Sequence, residues 1–268
     1  MGAKTIMVQG TTSNAGKSVL STALCAIFAA HGLRTAPFKA WNMSSNSYVS
    51  KDGLEIARSQ GIQAEVIGIE ATGDMNPFFL KPTGDGNLQI MMRGKPLQTK
   101  YAGSFRDFAL PIIEESLLRL AANYDVVVME GAGSPVELNM KQNEVANMAV
   151  ARLVQAPVLI VADISRGGSL AGIIGTFDLL EPEEKKLVIG SVLNKFRGDP
   201  EILKPGCQVI EERTKLPVVG VIPFAKNHGV GQEDDANDLA GFVAQVREHL
   251  DLDYICRCMG LEAMKRGV

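Results

Sequence analysis

The chain has 268 residues, of which 46% are hydrophobic, 21% charged and 6% aromatic, with 27 glycines and a formal charge of -3. At roughly 150 residues per domain this length holds one large α/β domain or two small ones, with ample core, and the composition excludes disorder, collagen and coiled coil. The slight negative charge gives no electrostatic reason to expect nucleic acid or an anionic membrane, so small molecules are the expected ligands.

In chain order, an apolar β-rich run at residues 5–8 opens the chain. A helical repeat then runs from the Gly16 region to His31 and stops at Gly32, whose missing Cβ suits a helix end. A second strand is expected at 34–38 and a helix at 54–67. Residues 70–100 break the rhythm, with Asn76-Pro77, Lys81-Pro82 and Gly84-Asp85-Gly86 around a strand at 88–92, and read as an insertion on the ligand-bearing edge. Helices follow at 105–122, 168–180, 201–213 and 238–249, and strands at 126–129, 158–162, 188–193 and 218–222. Strands without polar alternation are buried on both faces, and their alternation with helices predicts a doubly wound, mostly parallel α/β sheet. Residues 1–225 form the expected domain, and 226–268 a polar segment with a helical tail.

The run Ile6 to Val8 is interrupted by Gln9 and Gly10, and no stretch approaches the about 18 consecutive apolar residues of a membrane span. Cys25, Cys207, Cys256 and Cys258 make no CxxC pair, and the three histidines show no zinc spacing. A cytoplasmic protein with reduced thiols is expected.

Gly10-Thr11-Thr12-Ser13-Asn14-Ala15-Gly16-Lys17-Ser18 joins the first strand to the first helix, the context that a phosphate-binding P-loop requires. Main-chain groups of Thr12, Ser13, Asn14, Ala15 and Gly16 would cradle phosphate oxygens, Lys17 would neutralise the β and γ phosphates, and Ser18 would ligate magnesium. The glycine spacing is one residue longer than the standard pattern, because Thr11 stands where glycine is expected. The alternative is an ordinary strand-to-helix turn, in which Lys17 would oppose the helix dipole at a cost of a few tenths of a kcal/mol. Glu130, at the C-terminal end of the strand at 126–129 and before Gly131-Ala132-Gly133-Ser134-Pro135, stands where α/β folds bind ligands and is the natural magnesium carboxylate. A glutamate that merely ends a strand is the other reading.

Gly10 to Ser18, Ala36-Pro37-Phe38-Lys39 with Asn42-Met43-Ser44, Asp74-Met75-Asn76-Pro77 with Leu80-Lys81-Pro82-Thr83, Glu130 to Pro135, Ala162-Asp163 with Arg166-Gly167-Gly168, and Asn194 to Asp199 together resemble the cobyric acid synthase family. The resemblance covers about residues 4–225, the synthetase domain; dethiobiotin synthetase and cobyrinic acid a,c-diamide synthase are similar but more distant. It implies a P-loop, dethiobiotin synthetase-like fold and amidation of corrinoid side-chain carboxylates with ATP and Mg2+ through an acyl phosphate. Such chemistry is mostly positioning and charge neutralisation, which Lys17, Lys39, Ser18 and Glu130 would supply. Taken alone, Lys39 reads equally well as a solvated strand-end lysine.

The resemblance also implies that Asp52 helps to hold magnesium, although a turn aspartate before Gly53 is an equal reading. Adenine recognition would fall to Asn194, just beyond the strand at 188–193, whose amide both donates and accepts, with the Pro223 region completing the pocket; an Asn-Lys turn opening is the other reading. Asp74, Asn76, Lys81 and Arg166 are expected to contact corrinoid carboxylates, or else to cap helices and tie down the insertion. Glu144, near the substrate side, and Ser165 stand where the family usually has aspartate, and Trp41 replaces a usually polar residue. The family normally continues into a glutamine amidotransferase domain, for which this sequence has no residues. Ammonia is therefore expected from a separate glutaminase or from solution, and relatives suggest a homodimer. A second class, a partition-type ATPase switch, usually carries a lysine early in the loop, where this chain has only Thr11, Thr12, Ser13, Asn14 and Ala15. That favours an enzyme, with cobyrinic acid a,c-diamide synthase or another ATP-dependent carboxylate ligase as the runner-up.

Overall fold

A computed structural model describes residues 2–84, 87–98, 103–226 and 238–263. The chain begins with β1 (Lys4–Gly10), α1 (Lys17–Ala30) and β2 (Thr35–Phe38), followed by the short strands β3 (Trp41–Met43), β4 (Ser47–Val49) and β5 (Glu55–Ala57) and by α2 (Arg58–Val66). Next come β6 (Phe78–Gly84), β7 (Asn87–Met92), β8 (Lys95–Pro96), α3 (Phe105–Asn123) and β9 (Val126–Glu130). The second half holds α4 (Met148–Val154), β10 (Val158–Asp163), α5 (Ser169–Leu179), α6 (Pro182–Lys185), β11 (Val188–Phe196), α7 (Lys204–Thr214), β12 (Val218–Pro223), α8 (Leu239–His249) and α9 (Leu252–Met259).

The main sheet has the order β12-β11-β10-β1-β9-β2, with every neighbouring pair parallel. Side chains of its central strands alternate between two cores, as the two-residue period of a strand demands. Ile6, Val8, Val126, Val128, Leu159 and Val161 join α1, α8 and α9 on one face. Met7, Val127, Met129, Val158 and Ile160 join α3, α4, α5 and α7 on the other. The doubly wound sheet is thus as expected, and β1 and β9 end side by side, with Val8 opposite Glu130.

Two local expectations are corrected, and two regions take the form expected of them. Residues 54–67 are not one helix: Glu55–Ala57 pair antiparallel with Ser47–Val49, and α2 starts only at Arg58. The reason is tertiary, since Ala57 donates its main-chain N–H to the buried Asn76 Oδ1 at 2.9 Å, which ends the strand. Residues 201–213 begin as a tight turn over Pro200–Leu203, and α7 starts at Lys204, with Pro205 in its first turn where proline needs no donor. The insertion joins β3 in a second sheet of order β3-β6-β7-β8, within which the expected strand at 88–92 is β7; residues 85 and 86 lie outside the described residues. After the polar segment, whose residues 227–237 also lie outside them, the tail supplies α8 and then α9, which buries Leu252, Ile255, Cys256 and Met259. Among the described residues no helix is long and apolar enough to cross a membrane.

Candidate functional site

The loop after β1 turns into α1 at Gly16, whose φ of 105° is open only to glycine at low cost. A Cβ there would also lie 1.9 Å from Asn194 Nδ2. Asn194 donates from Nδ2 to Ala15 O at 3.0 Å and accepts from the Lys195 N–H at Oδ1, so it braces the loop from β11. Lys195 Nζ donates to Asn14 O and to Asp163 Oδ2, both at 2.7 Å. Burial pushes the Asp163 carboxyl up, but the bonds from Lys195 and Ser165 outweigh it and hold the group below its ordinary range. Lys17 folds back over the loop and donates from Nζ to Thr12 O at 2.9 Å and Gly133 O at 3.0 Å. Its ammonium is thereby placed between the P-loop and the glycine-rich turn after β9.

Glu130 is the centre of the site. Its Oε1 accepts from Lys39 Nζ at 2.6 Å and from the Ser18 hydroxyl at 2.7 Å. Gln60 and Gln63 of α2 donate to Oε2 at 3.4 and 3.3 Å. Burial alone would push this carboxyl up, yet the Lys39 charge and the hydrogen bonds from Lys39 and Ser18 outweigh it and hold it below the usual carboxylate range. One buried carboxylate beside a hydroxyl is a suitable donor set for a magnesium ion that takes its remaining ligands from phosphate and water. Sequence reasoning gave no role to Gln60, Gln63 or Lys195; three-residue spacing on one helix face was the available signal for the two glutamines.

Lys17, Ser18, Lys39, Glu130 and Lys195 line an open cleft of about 1410 Å³, together with Trp41, Met43, Ile62, Leu80, Ile90 and Phe105. It exceeds the roughly 300–1,000 Å³ of an ordinary single-ligand pocket, which leaves room for a nucleotide and a second molecule. Other expected residues are placed elsewhere. Asn76 is 1% exposed, and its Nδ2 donates to Lys39 O and Phe78 O while its Oδ1 accepts from Ala57, so it knots three main-chain segments together. Asp74 is paired with Arg93 and Arg119, and Lys81 with Glu55; none of Asp74, Asn76 or Lys81 lines the cleft. Glu144 does line it, but its carboxylate accepts N–H groups of Ala146, Asn147 and Ala149 and so starts α4. Asp52 sits in the exposed turn between β4 and β5, away from the cleft lining. Arg166 is exposed and 3.5 Å from Asp163. Pro223 ends β12 opposite Phe196, next to the stack of Arg197 on the Phe224 ring, 3.7 Å from its centroid.

Burial, partly offset by Glu130 and reinforced by Lys39, lowers the Lys17 ammonium from 10.5 to about 8. If bound phosphate keeps Lys17 charged, nucleotide affinity falls as pH rises above about 8, approaching roughly tenfold per pH unit until the pH reaches the pKa of the bound lysine. Calorimetric titration with ATP between pH 7 and 9 checks this, since an exposed lysine would give a flat profile over that range. The linked effect on folding has the opposite sign. The burial penalty is full below about 8 and is relieved as pH rises toward 10.5, so Lys17 alone makes the free protein more stable over that interval.

A parallel sheet whose first strand runs through a lysine- and serine-bearing glycine loop into a helix, with a buried carboxylate at the end of the adjoining strand, defines a P-loop nucleotide-binding domain. The chain belongs to the CbiA family, the CobQ/CobB/MinD/ParA nucleotide binding domain, whose model matches residues 6–233. It is 51% identical over 233 residues to cobyric acid synthase of Desulfitobacterium hafniense, covering 85% of this chain and 45% of that protein. With cobyric acid synthase of Dehalococcoides mccartyi the identity is 50% over 235 residues, covering 87% and 47%. With that of Geobacillus kaustophilus it is 48% over 259 residues, covering 94% and 51%. The chain thus spans about half the length of these relatives. Among solved structures, the signal recognition particle receptor FtsY from Elizabethkingia anophelis in complex with GDP has a similar fold, with a TM-score of 0.51 at 16% identity, covering 91% of this chain and 63% of that one.

Proposed function

We propose that the chain is an ATP- and magnesium-dependent ligase domain of the cobyric acid synthase type, which activates corrinoid side-chain carboxylates for amidation. The observation that carries this reading is the junction of two buried lysines, Ser18 and Glu130 on the wall of a cleft too large for the nucleotide alone. The kinship to cobyric acid synthases over most of the chain supports the choice of substrate. The apolar wall of Trp41, Met43, Ile62 and Phe105 suits a large flat ring system, with Asn42, Ser44 and Asn143 available to peripheral polar groups.

A carboxylate anion is a poor electrophile with a poor leaving group. Its oxygen attacks the γ phosphorus, the bond to the β-phosphate oxygen breaks, and ADP leaves. Ammonia then adds to the acyl phosphate, inorganic phosphate departs, and the nitrogen loses a proton. Lys17 and Lys39 offset the charge gathered on the transferred group. Ser18 and Glu130 would hold magnesium, which supplies further neutralisation when bound.

The test is to incubate the chain with ATP, magnesium and adenosylcobyrinic acid a,c-diamide, supplying either ammonium or glutamine, and to follow products by mass spectrometry. Amidated product is expected with ammonium and none with glutamine. A glutaminase needs a reactive thiolate, and here burial raises the Cys25 thiol, raises Cys256 to about 11, and also raises Cys207. Absence of amidation with ammonium would remove the ligase reading, while glutamate release coupled to product would show a nitrogen-donor activity within this chain.

A further inference from the structure

We propose that Gln60 and Gln63 are positioning residues, a neutral amide clamp that fixes the Oε2 atom of Glu130 and keeps Oε1 turned toward Ser18 and Lys39. The inference rests on the nucleotide-and-magnesium reading of this site. The two side chains are 0% and 1% exposed and lie one helical turn apart on α2. Gln60 Nε2 donates to Gln63 Oε1 at 3.1 Å as well as to Glu130 Oε2 at 3.4 Å. Gln63 Nε2 donates to Ser18 O and to Glu130 Oε2, both at 3.3 Å, and the Ser59 hydroxyl donates to Gln60 Oε1 at 2.9 Å.

Every partner of each amide nitrogen is an acceptor, so turning either amide over would set oxygen against oxygen. The network thus determines both orientations. Buried glutamine loses more side-chain entropy than leucine and must be fully hydrogen-bonded, so an apolar helix face would have sufficed if α2 only had to pack. What the amides add is four donor contacts, two of them to one oxygen of the buried carboxylate and one to the main chain of Ser18. They add them without charge. An acid at either place would face Glu130 across a distance at which like charges raise one another's pKa, and a lysine would compete with Lys39.

The clamp is itself held from outside. Gly61, between the two glutamines, lies against the Tyr48 ring so closely that a Cβ there would be 2.1 Å from Tyr48 Cγ. The Tyr48 hydroxyl donates to Glu65 Oε1 at 2.9 Å, and Asn76 secures both the start of α2 and the carbonyl of Lys39. Lys39 and α2 are therefore referenced to the same buried residue, and the distance between the lysine and the glutamines is set before any ligand arrives.

The experiment replaces Gln60→Met, Gln63→Met and both together, and measures binding of a non-hydrolysable ATP analogue with and without magnesium, beside thermal unfolding. The double variant is expected to need about 10- to 100-fold more magnesium for half-maximal enhancement of binding. Its metal-free nucleotide affinity should stay within about twofold of wild type, and its turnover should recover at saturating magnesium. Each single variant is expected to show a smaller shift in the same direction, and decides the matter if the double variant does not fold. An unchanged magnesium requirement overturns the clamp, as does an equal loss of affinity with and without the metal, the result of a packing role alone. If wild type itself shows no magnesium-dependent binding, the underlying reading of the site falls together with the clamp; the altered variants cannot then be blamed.

Discussion

Replacing Lys17 with methionine is expected to lower ATP-dependent turnover by roughly a hundred- to a thousandfold, the loss that follows removal of one preorganised electrostatic group from a reaction centre. The fold should survive it. Lys17 is buried with its pKa lowered from 10.5 to about 8, so its charged form is held at a cost of about 3 kcal/mol in the free protein. The bonds to Thr12 O and Gly133 O return only part of that. An unbranched apolar side chain of similar length fills the space without the burial penalty, and the melting temperature is expected to stay within about 4 °C of wild type or to rise above it. Thermal unfolding and ATP titration on the same preparation read both effects. Full nucleotide binding in the variant would show that this loop does not hold phosphate.

Glu130→Gln should behave differently, because here binding and stability fall together. The amide is nearly the same size, but it leaves the Lys39 side chain, 9% exposed, without its countercharge. Removing one member of a buried pair costs about 3–5 kcal/mol, which corresponds to a melting temperature lower by roughly 10 °C for a chain of this size. Magnesium dependence should weaken as well, since the uncharged oxygen no longer offsets the cation. The double replacement Glu130→Gln with Lys39→Met removes both charges and is expected to recover most of the stability with none of the turnover. In wild type the carboxyl lies below its ordinary value of 4.5, so the stability it contributes is complete above that pH and is lost as the pH falls toward the depressed value. Turnover equal to wild type at every magnesium concentration in Glu130→Gln would reduce Glu130 to a strand-end residue.

The parts that could be read from the chain alone are those whose cause is local. The apolar run of β1, the glycine loop and the periodic face of α1 are contiguous, and their order compels a strand, a loop and a helix N-terminus that carries Lys17 and Ser18. Glu130 was readable for the same reason, because an acid that ends a buried parallel strand must emerge at the sheet edge where ligands bind. Lys39, one residue beyond β2, was only half readable, since a solvated strand-end lysine fits the local pattern equally well; its 2.6 Å bond to Glu130 is tertiary.

Only the tertiary structure decided which polar side chains serve the cleft and which serve the backbone. Asn76, Asp74 and Lys81 have the chemistry of ligand contacts, yet each is taken by a partner distant in sequence: Lys39 O for Asn76, Arg119 for Asp74 and Glu55 for Lys81. Conversely, Gln60 and Gln63 look like ordinary helix residues until β9 brings Glu130 against them. Periodicity and turn chemistry determine most of the backbone's course, because they act between near neighbours along the chain, and fail where a distant partner intervenes, as at residues 55–57. A hydrogen bond between residues 63 and 130 exists only once the sheet has assembled, and no local pattern encodes which of several buried polar groups will meet there.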